Sequence, residues 1–227
     1  MATTSPSIPN QQILIIDTSS SQGGIALYDG HALSTRTWPA NRSHTTTLLS
    51  EVHHLLDKAG IQVRELGAIG IAIGPGAFTG LRVGFGVAKG FHLATGVPLI
   101  GISTLAAAAL SLASCGTPVI AVVAAGRGRL VWARYELGSE GLSEVTPPRN
   151  GAISELSLEL EVMGSVQLTG ELDDDQVREI GEIAGVSIPP SPVRARHPGA
   201  LAELAWRRWQ SRHFDNAEAI EPVYLSR

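Results

Sequence analysis

Hydrophobic and polar residues along the first half of the chain fall into blocks that predict an α/β fold. A continuous apolar run at residues 13–16 is typical of a strand covered on both faces, and a polar turn leads from it to a second strand at 25–28. The dipeptide Asp29-Gly30 predicts a hairpin into a third strand that ends near Trp38. The chain therefore opens with three strands joined by short turns.

The next segment has helical spacing, because apolar residues recur three and four positions apart. Its apolar face comprises Leu48, Leu49, Val52, Leu55, Leu56 and Ala59. Ser43 is placed to cap this helix and Gly60 to end it. The pattern then predicts a strand at 68–73, a helix at 81–95, a strand at 98–102 and a helix at 104–113. This order indicates helices packed on a mixed sheet.

The second half repeats the pattern more weakly. It predicts strands at 117–123, 130–137, 142–146 and 166–169, and helices at 153–161, 174–183 and 200–212. Residues 189–192 are typical of a stiff connector, and residues 222–225 close the chain. From the order of elements alone, we interpret this half as a reduced copy of the first. We expect a flexible tail at 1–12, a first lobe at 13–110 and a reduced second lobe with a closing helix and tail at 111–227.

Composition narrows the class of protein. The 227 residues are 44% apolar and 17% charged, with a net charge of −4, which excludes whole-chain disorder and argues against a nucleic-acid coat. Cys115 is the single cysteine, so an intrachain disulfide and a cysteine-based zinc site are excluded. The N-terminal residues lack the pattern of a secretion signal, and no apolar run reaches the roughly 20 residues of a membrane span. We expect a cytoplasmic protein without membrane contact.

The turn after the first strand is a candidate anion site. Backbone amides in a tight turn at Asp17, Thr18 and Ser19 can cradle phosphate, and the Asp17 carboxylate can hold a metal ion or orient a water. The alternative is a β-turn capped by the Asp17 side chain. On the residues alone, these three positions are weak candidates for cofactor binding, and we expect no bound cofactor.

The glycine-rich segment Gly74-Pro-Gly-Ala-Phe-Thr-Gly80 lies between a strand and a helix. It matches neither nucleotide template, because a P-loop needs Lys-Ser/Thr after its last glycine and the Rossmann spacing is one residue shorter. We interpret it as a tight corner that needs small residues.

The helix predicted at 81–95 contains an unusual number of glycines. Gly80, Gly84, Gly86 and Gly90 form two stripes of small residues, although each helical glycine costs about 1 kcal/mol relative to alanine. Close approach of another backbone, within the fold or in a partner, would offset that cost. Together with the preceding amphipathic helix, this favours a helix pair that faces a partner.

Other chemistry has little support in the sequence. His53 and His54 are adjacent and diverge by about 100° on a helix, so they do not form a zinc pair, and we expect no metal site. A Ser nucleophile lacks its Gly-x-Ser-x-Gly elbow. The last predicted helix carries a basic patch beside two tryptophans, which we interpret as a solvated face. That patch consists of Arg207, Arg208, Arg212 and His213 beside Trp206 and Trp209.

Several strings together resemble the TsaB (YeaZ) family of bacterial tRNA threonylcarbamoyladenosine biosynthesis proteins. They are Ile15-Ile-Asp17-Thr-Ser19, Arg42-Ser-His44, Gly74-Pro-Gly-Ala-Phe-Thr-Gly-Leu-Arg-Val-Gly84, Ala88-Lys-Gly90, Pro98-Leu-Ile-Gly-Ile-Ser103 and Pro222-Val-Tyr-Leu225. The resemblance is dense from residue 13 to 109 and thin afterwards. It implies a two-lobed actin-like, ribonuclease H-like fold of the hexokinase-type ATPase superfamily.

The resemblance also implies a function. Family members are non-catalytic scaffold and activator subunits required for threonylcarbamoyl transfer to the adenosine next to the tRNA anticodon, and they act by pairing with the catalytic paralogue TsaD. It implies homodimers in the absence of TsaD, contact with a TsaE-type ATPase through the complex, and only indirect contact with tRNA. Pairing would use the helices at 45–59 and 79–95. The expected interface residues are Leu48, Val52, Leu55, Leu81, Gly84, Val87, Ala88 and Phe91.

Departures from the paralogues support a non-catalytic role. Thr104 and Ala108 stand where TsaD-type proteins carry a metal-binding histidine pair, and neither side chain binds a metal as imidazole does. Ala124, Ala125 and Gly126 stand where TsaB relatives often have Asp-Ala-Arg, so the role of that acidic residue does not transfer. The alternatives are an independent ATPase or kinase of the same superfamily and, less favoured by these residues, a metallopeptidase.

Overall fold

The computed structural model describes residues 12–39, 44–113 and 116–224. Its first sheet has the strand order β3-β2-β1-β4-β5. The strands are β1 (Ile13–Asp17), β2 (Gln22–Tyr28), β3 (Leu33–Pro39), β4 (Ala68–Gly74) and β5 (Leu99–Ser103). The first three pair antiparallel, whereas β4 and β5 continue the sheet in parallel with β1. Every residue of β1 is buried, as expected for the central strand of a sheet covered on both faces.

The second sheet repeats this order. Its strands run β11-β10-β6-β7-β8, so β6 again has an antiparallel neighbour on one side and a parallel one on the other. They are β6 (Val119–Ala124), β7 (Arg129–Gly138), β8 (Gly141–Glu144), β10 (Val166–Gly170) and β11 (Val186–Ser187). A further strand, β9 (Arg149–Ala152), pairs with the start of β7. The prediction of a two-lobed α/β fold with a reduced second copy is confirmed: the order is kept, and β11 has only two residues.

Helices cover both sheets. They are α1 (His44–Ala59), α2 (Phe78–Thr95), α3 (Thr104–Leu110), α4 (Ile153–Met163), α5 (Asp174–Gly181), α6 (Ser191–Arg194) and α7 (Pro198–Gln210), with a 3₁₀ turn at Val63–Glu65. On one face of the first sheet, α1 and α2 bury Leu48, Val52 and Phe85 against Ile16 and Ile71. None of the helices in the described ranges is both long and apolar enough to cross a membrane.

Helices α3 and α7 cross between the sheets. Helix α3 follows the first sheet but buries Leu105 and Ala109 against residues of the second, among them Val119 on β6. Helix α7 follows the second sheet and buries Leu201 and Ala205 against Ile15 and other residues of the first. Each lobe therefore depends on a helix that is continuous with the other. The domain limits at residues 12 and 110 stay a prediction.

Some predicted boundaries are corrected by the structure. Helix α2 begins at Phe78, one turn earlier than predicted, because the backbone at Gly80 packs against Thr18 rather than forming a loop. Pattern analysis missed β9, β11 and α6, which are short and lack periodicity. The predicted cap Ser43, and Cys115, lie outside the described residues.

Candidate functional site

A cleft opens between the lobes where the carboxyl ends of the parallel strands face each other. Its volume is about 800 Å³. The first lobe contributes the turn at residues 19–22 and the start of α2, and the second contributes residues 124–130 and 170–176. Crevices at the carboxyl ends of parallel strands are the usual ligand sites of open α/β sheets. Of the weak candidates, Ser19 lines this cleft, and Asp17 and Thr18 are buried next to it.

Arg196 binds the carboxylate of Asp17. Its Nε donates to Asp17 Oδ2 at 2.7 Å, and its Nη2 donates to Ser19 Oγ at 2.6 Å. Ser19 in turn donates its Oγ–H and its backbone N–H to Asp17 Oδ1, at 2.5 and 2.9 Å. The side chains of Arg196 and Asp17 are only 4% and 7% exposed. The carboxylate that could have held a metal ion is thus bound by a buried guanidinium.

Electrostatics in the cleft follow from this arrangement. Burial raises the pKa of Asp17, but the charge and hydrogen bonds of Arg196 outweigh it, so the pKa lies below its usual range. Glu171 comes from the second lobe, with Oε1 lying 3.6 Å from Arg196 Nη1. Burial raises the pKa of Glu171, since this longer contact and the hydrogen bond from the Ala124 amide do not fully compensate.

The turn itself is closed by α2. Thr18 Oγ1 donates to the carbonyl of Gly80 at 2.7 Å, and the Ala77 amide donates to the carbonyl of Ser19 at 2.7 Å. A Cβ on Gly80 would lie 1.8 Å from the Thr18 carbonyl oxygen, so no larger residue fits there. The Ser19 amide is taken by Asp17, as the capped-turn alternative expected. The arrangement does not fit a metal-bound phosphate at Asp17.

The two glycine stripes of α2 face different surroundings. Gly80 and Gly84 are buried, and a Cβ on Gly84 would lie 2.6 Å from Thr18 Oγ1. A Cβ added at Gly86 or Gly90 would meet no described heavy atom within 4 Å beyond the backbone of the helix itself. Close packing inside the fold therefore accounts for the first stripe. The second stripe faces open space in the part of the chain that the structure describes.

Six of the eight expected interface residues are in the core. Leu48, Val52, Leu55, Leu81 and Ala88 are buried hydrophobic residues, and Gly84 is buried against Thr18. Their side chains are not accessible to a partner in this structure, because the apolar face of an amphipathic helix covers its own sheet. The other two, Val87 and Phe91, are partly exposed. The prediction that all eight residues form the partner interface stays a prediction, and the structure places six of them under the surface of the helix pair.

An apolar groove lies between the later parts of α1 and α2 and the segment that follows α1. Its volume is about 570 Å³. Leu49, His53, Leu56 and Phe91 line it together with Ile61 and Val63 from the segment that follows α1. Leu49 is 45% exposed and Leu93, near the end of α2, is 84% exposed. The sequence pattern includes Leu49 in the apolar face of α1. Its position at the edge of that face is the signal in the sequence that it is accessible.

Other candidate residues have structural roles. Thr104 Oγ1 is buried and donates to the carbonyl of Pro75 at 2.5 Å, and Ala108 packs in the core of the second lobe. Within the described ranges, no group of three His, Cys, Asp or Glu residues could hold a metal ion. In the basic patch of α7, Arg207 pairs with Glu203 and Arg208 pairs with Asp215. This patch is therefore partly neutralised.

Comparisons with known proteins agree with the fold. The family model described as "TsaD: tRNA N6-adenosine threonylcarbamoyltransferase" matches residues 38–177. The chain is similar to the TsaB protein of Escherichia coli strain K12, with 31% identity, covering 94% of both chains. It is 28% identical to the Haemophilus influenzae TsaB protein, covering 95% of this chain and 94% of that one.

A solved structure supports the same architecture. YeaZ from Pseudomonas aeruginosa superposes with a TM-score of 0.77 at 24% identity, covering 95% of this chain and all of that one. At this identity, the similarity to the solved structure shows the fold alone. The sequence match to the Escherichia coli protein extends across both lobes. The chain therefore belongs to the family of TsaD-like proteins and, within it, to the TsaB proteins.

Proposed function

We propose that this chain acts in the biosynthesis of threonylcarbamoyladenosine in tRNA as a non-catalytic subunit that pairs with TsaD. Its relatives are named as tRNA threonylcarbamoyladenosine biosynthesis proteins, and the matching family model is described as the transferase. The observation that carries the proposal is that α1 and α2 expose an apolar groove, to which α2 contributes Phe91, together with two glycines of α2 that face open space. Unburied glycines in a helix are costly, and a closely packed partner helix would offset that cost.

The proposed docking face consists of the outer sides of α1 and α2. Its central residues are Leu49, His53, Gly86, Val87, Gly90 and Phe91, with Leu93 at the edge. The buried residues of the two helices support this face from below. In the absence of TsaD, a second copy of the chain would cover the same face. A TsaE-type ATPase would join through the complex, and tRNA would contact the chain indirectly.

A non-catalytic role is supported by the residues of the cleft. Asp17 is bound to Arg196, and Thr104 and Ala108, which by the resemblance stand where TsaD-type paralogues bind metal, make structural contacts instead. The competing hypothesis is an independent ATPase. Loss of turnover in Asp17→Ala would not distinguish the two, because that change also leaves Arg196 buried without its partner. Direct nucleotide binding by the unmodified chain is the better measurement.

The test combines reconstitution and pairing. With TsaD, a TsaE-type ATPase, tRNA and the threonylcarbamoyl donor, modification should require this chain. Val87→Asp, on the docking face, should weaken pairing with TsaD at least about tenfold, equivalent to about 1.4 kcal/mol, as measured by sedimentation velocity. Val162→Asp is the control for the added charge, since Val162 is 85% exposed on the second lobe.

Two results would contradict the proposal. Modification at full rate without the chain would remove the proposed role. Equal pairing by Val87→Asp and Val162→Asp, with both variants folded, would place the interface elsewhere.

A further inference from the structure

A buried guanidinium, that of Arg196, crosses the cleft between the lobes. We propose that Arg196 is a built-in cation that latches the two lobes together and occupies the Asp17 carboxylate, which a metal-bound ligand in this cleft would otherwise use. This inference is independent of docking on TsaD, because it concerns the internal surface of the first lobe rather than the outer side of α1 and α2.

The place of Arg196 in the chain suits a latch. It lies in the short link between α6, at the end of the second lobe, and α7, which packs on the first sheet. Its guanidinium donates to Asp17 and Ser19 of the first lobe and faces Glu171 of the second. The planar fork of arginine can bind several oxygens at once, which a lysine ammonium does with less geometric control. One side chain therefore connects both sides of the cleft.

Burial makes this contact strong. The Arg196 side chain is 4% exposed, so its attraction to Asp17 is weakly screened by solvent. Removal of the guanidinium would leave two carboxylates, Asp17 and Glu171, facing each other across the cleft. The charge of Asp17 already contributes to the raised pKa of Glu171. Loss of Arg196 should thus replace an attraction between the lobes by a repulsion.

The neighbouring buried arginine does not serve as a substitute. Arg194 Nη1 donates to the carbonyl of Leu172 at 2.8 Å and lies 3.4 Å from the carbonyl oxygen of Gly170. Both carbonyls belong to the second lobe. Arg194 therefore stabilises one side of the cleft, whereas Arg196 connects the two sides. Among the described residues, the remaining charged groups that line the cleft are Arg129, bound to Asn150, and the helix cap Asp173.

The experiment measures the distance between the lobes. Spin labels at His54→Cys on α1 and Glu179→Cys on α5, both exposed, report it by double electron–electron resonance in a Cys115→Ser background. We expect a single narrow distribution for the otherwise unchanged chain. Arg196→Met should broaden it and shift it to longer distances. Arg207→Met, which removes an exposed ion pair on α7, is the control and should leave it unchanged.

Each outcome supports or overturns the latch. An unchanged distribution in a folded Arg196→Met variant would overturn it. If that variant does not fold, Arg196→Gln decides, because it removes the charge and keeps a polar side chain: a broadened distribution supports the proposal, and an unchanged one overturns it. Calorimetric titration of the unmodified chain with Mg²⁺–ADP is an independent measurement. Absence of binding heat at millimolar ligand is expected, and micromolar binding at the Asp17 turn would overturn the proposal.

Discussion

The helix pair α1–α2 on the first sheet and the pair α4–α5 on the second expose different chemistry. Between α1 and α2 lies a groove of about 570 Å³ lined mainly by apolar side chains such as Leu49 and Phe91. Beside α4 and α5 lies a groove of about 520 Å³ lined by Glu161, Glu179 and Glu182. The two sheets thus share a strand order, but the helices that cover them expose different surfaces.

The glycine content of the helices accounts for a second difference between the lobes. Helix α2 has four glycines, two against the β1 turn and two on its outer side, whereas α5 contains only Gly181. A glycine-lined helix can approach both its own sheet and a second protein closely. Helix α2 of the first lobe is therefore suited to two packed faces, and the following changes test that view.

The largest effect is expected for Gly80→Ala. Its Cβ would lie 1.8 Å from a backbone oxygen of Thr18, so the turn or the helix must shift. We expect a loss of about 3 kcal/mol or more in the free energy of unfolding, measured by urea denaturation. Gly181→Ala in the second lobe is the matched control, because its added Cβ would meet no described atom within 4 Å outside the local backbone. Similar stability of the two variants would contradict the assignment of an inward stripe.

A smaller effect of opposite sign is expected for Gly86→Ala combined with Gly90→Ala. Both positions face open space, so each alanine should stabilise the isolated chain by about 1 kcal/mol through helix propensity. The same double variant should pair more weakly with TsaD in sedimentation velocity, because the added methyl groups separate the packed helices. Stabilisation without any loss of pairing would show that the outer stripe is not in close contact with a partner.

The smallest effect is expected for Glu171→Gln at the junction of the lobes. Burial raises the pKa of Glu171 in the folded chain, so folding favours its protonated form. The free energy of unfolding therefore falls as the pH rises through the folded pKa, because the buried carboxyl group becomes charged. A glutamine stays neutral and avoids this fall. We expect the variant to be slightly more stable than the unchanged chain at neutral pH, and this gain should vanish below the pKa of the unfolded chain. Thermal melts across pH provide the measurement, and an equal difference at all pH values would contradict the prediction.

Local pattern was sufficient for the regular elements. The apolar run at β1 and the spacing of Leu48, Val52 and Leu55 predicted a buried strand and an amphipathic helix, and both are present. The capped turn at Asp17 was one of two alternatives that the residues left open. Pattern failed where elements are short, as at β9, because four residues carry too little periodicity.

By itself, the sequence determined the order of the longer strands and helices, the absence of an intrachain disulfide and the presence of a glycine-rich helix. The tertiary structure decided which glycines face inward, which hydrophobic residues remain accessible, and that Asp17 meets Arg196. These two residues are 179 positions apart. The periodicity of a segment indicates which of its residues share one face of a helix or strand. The pairing of two distant charges depends on how the two sheets and their crossing helices pack, which no local pattern indicates.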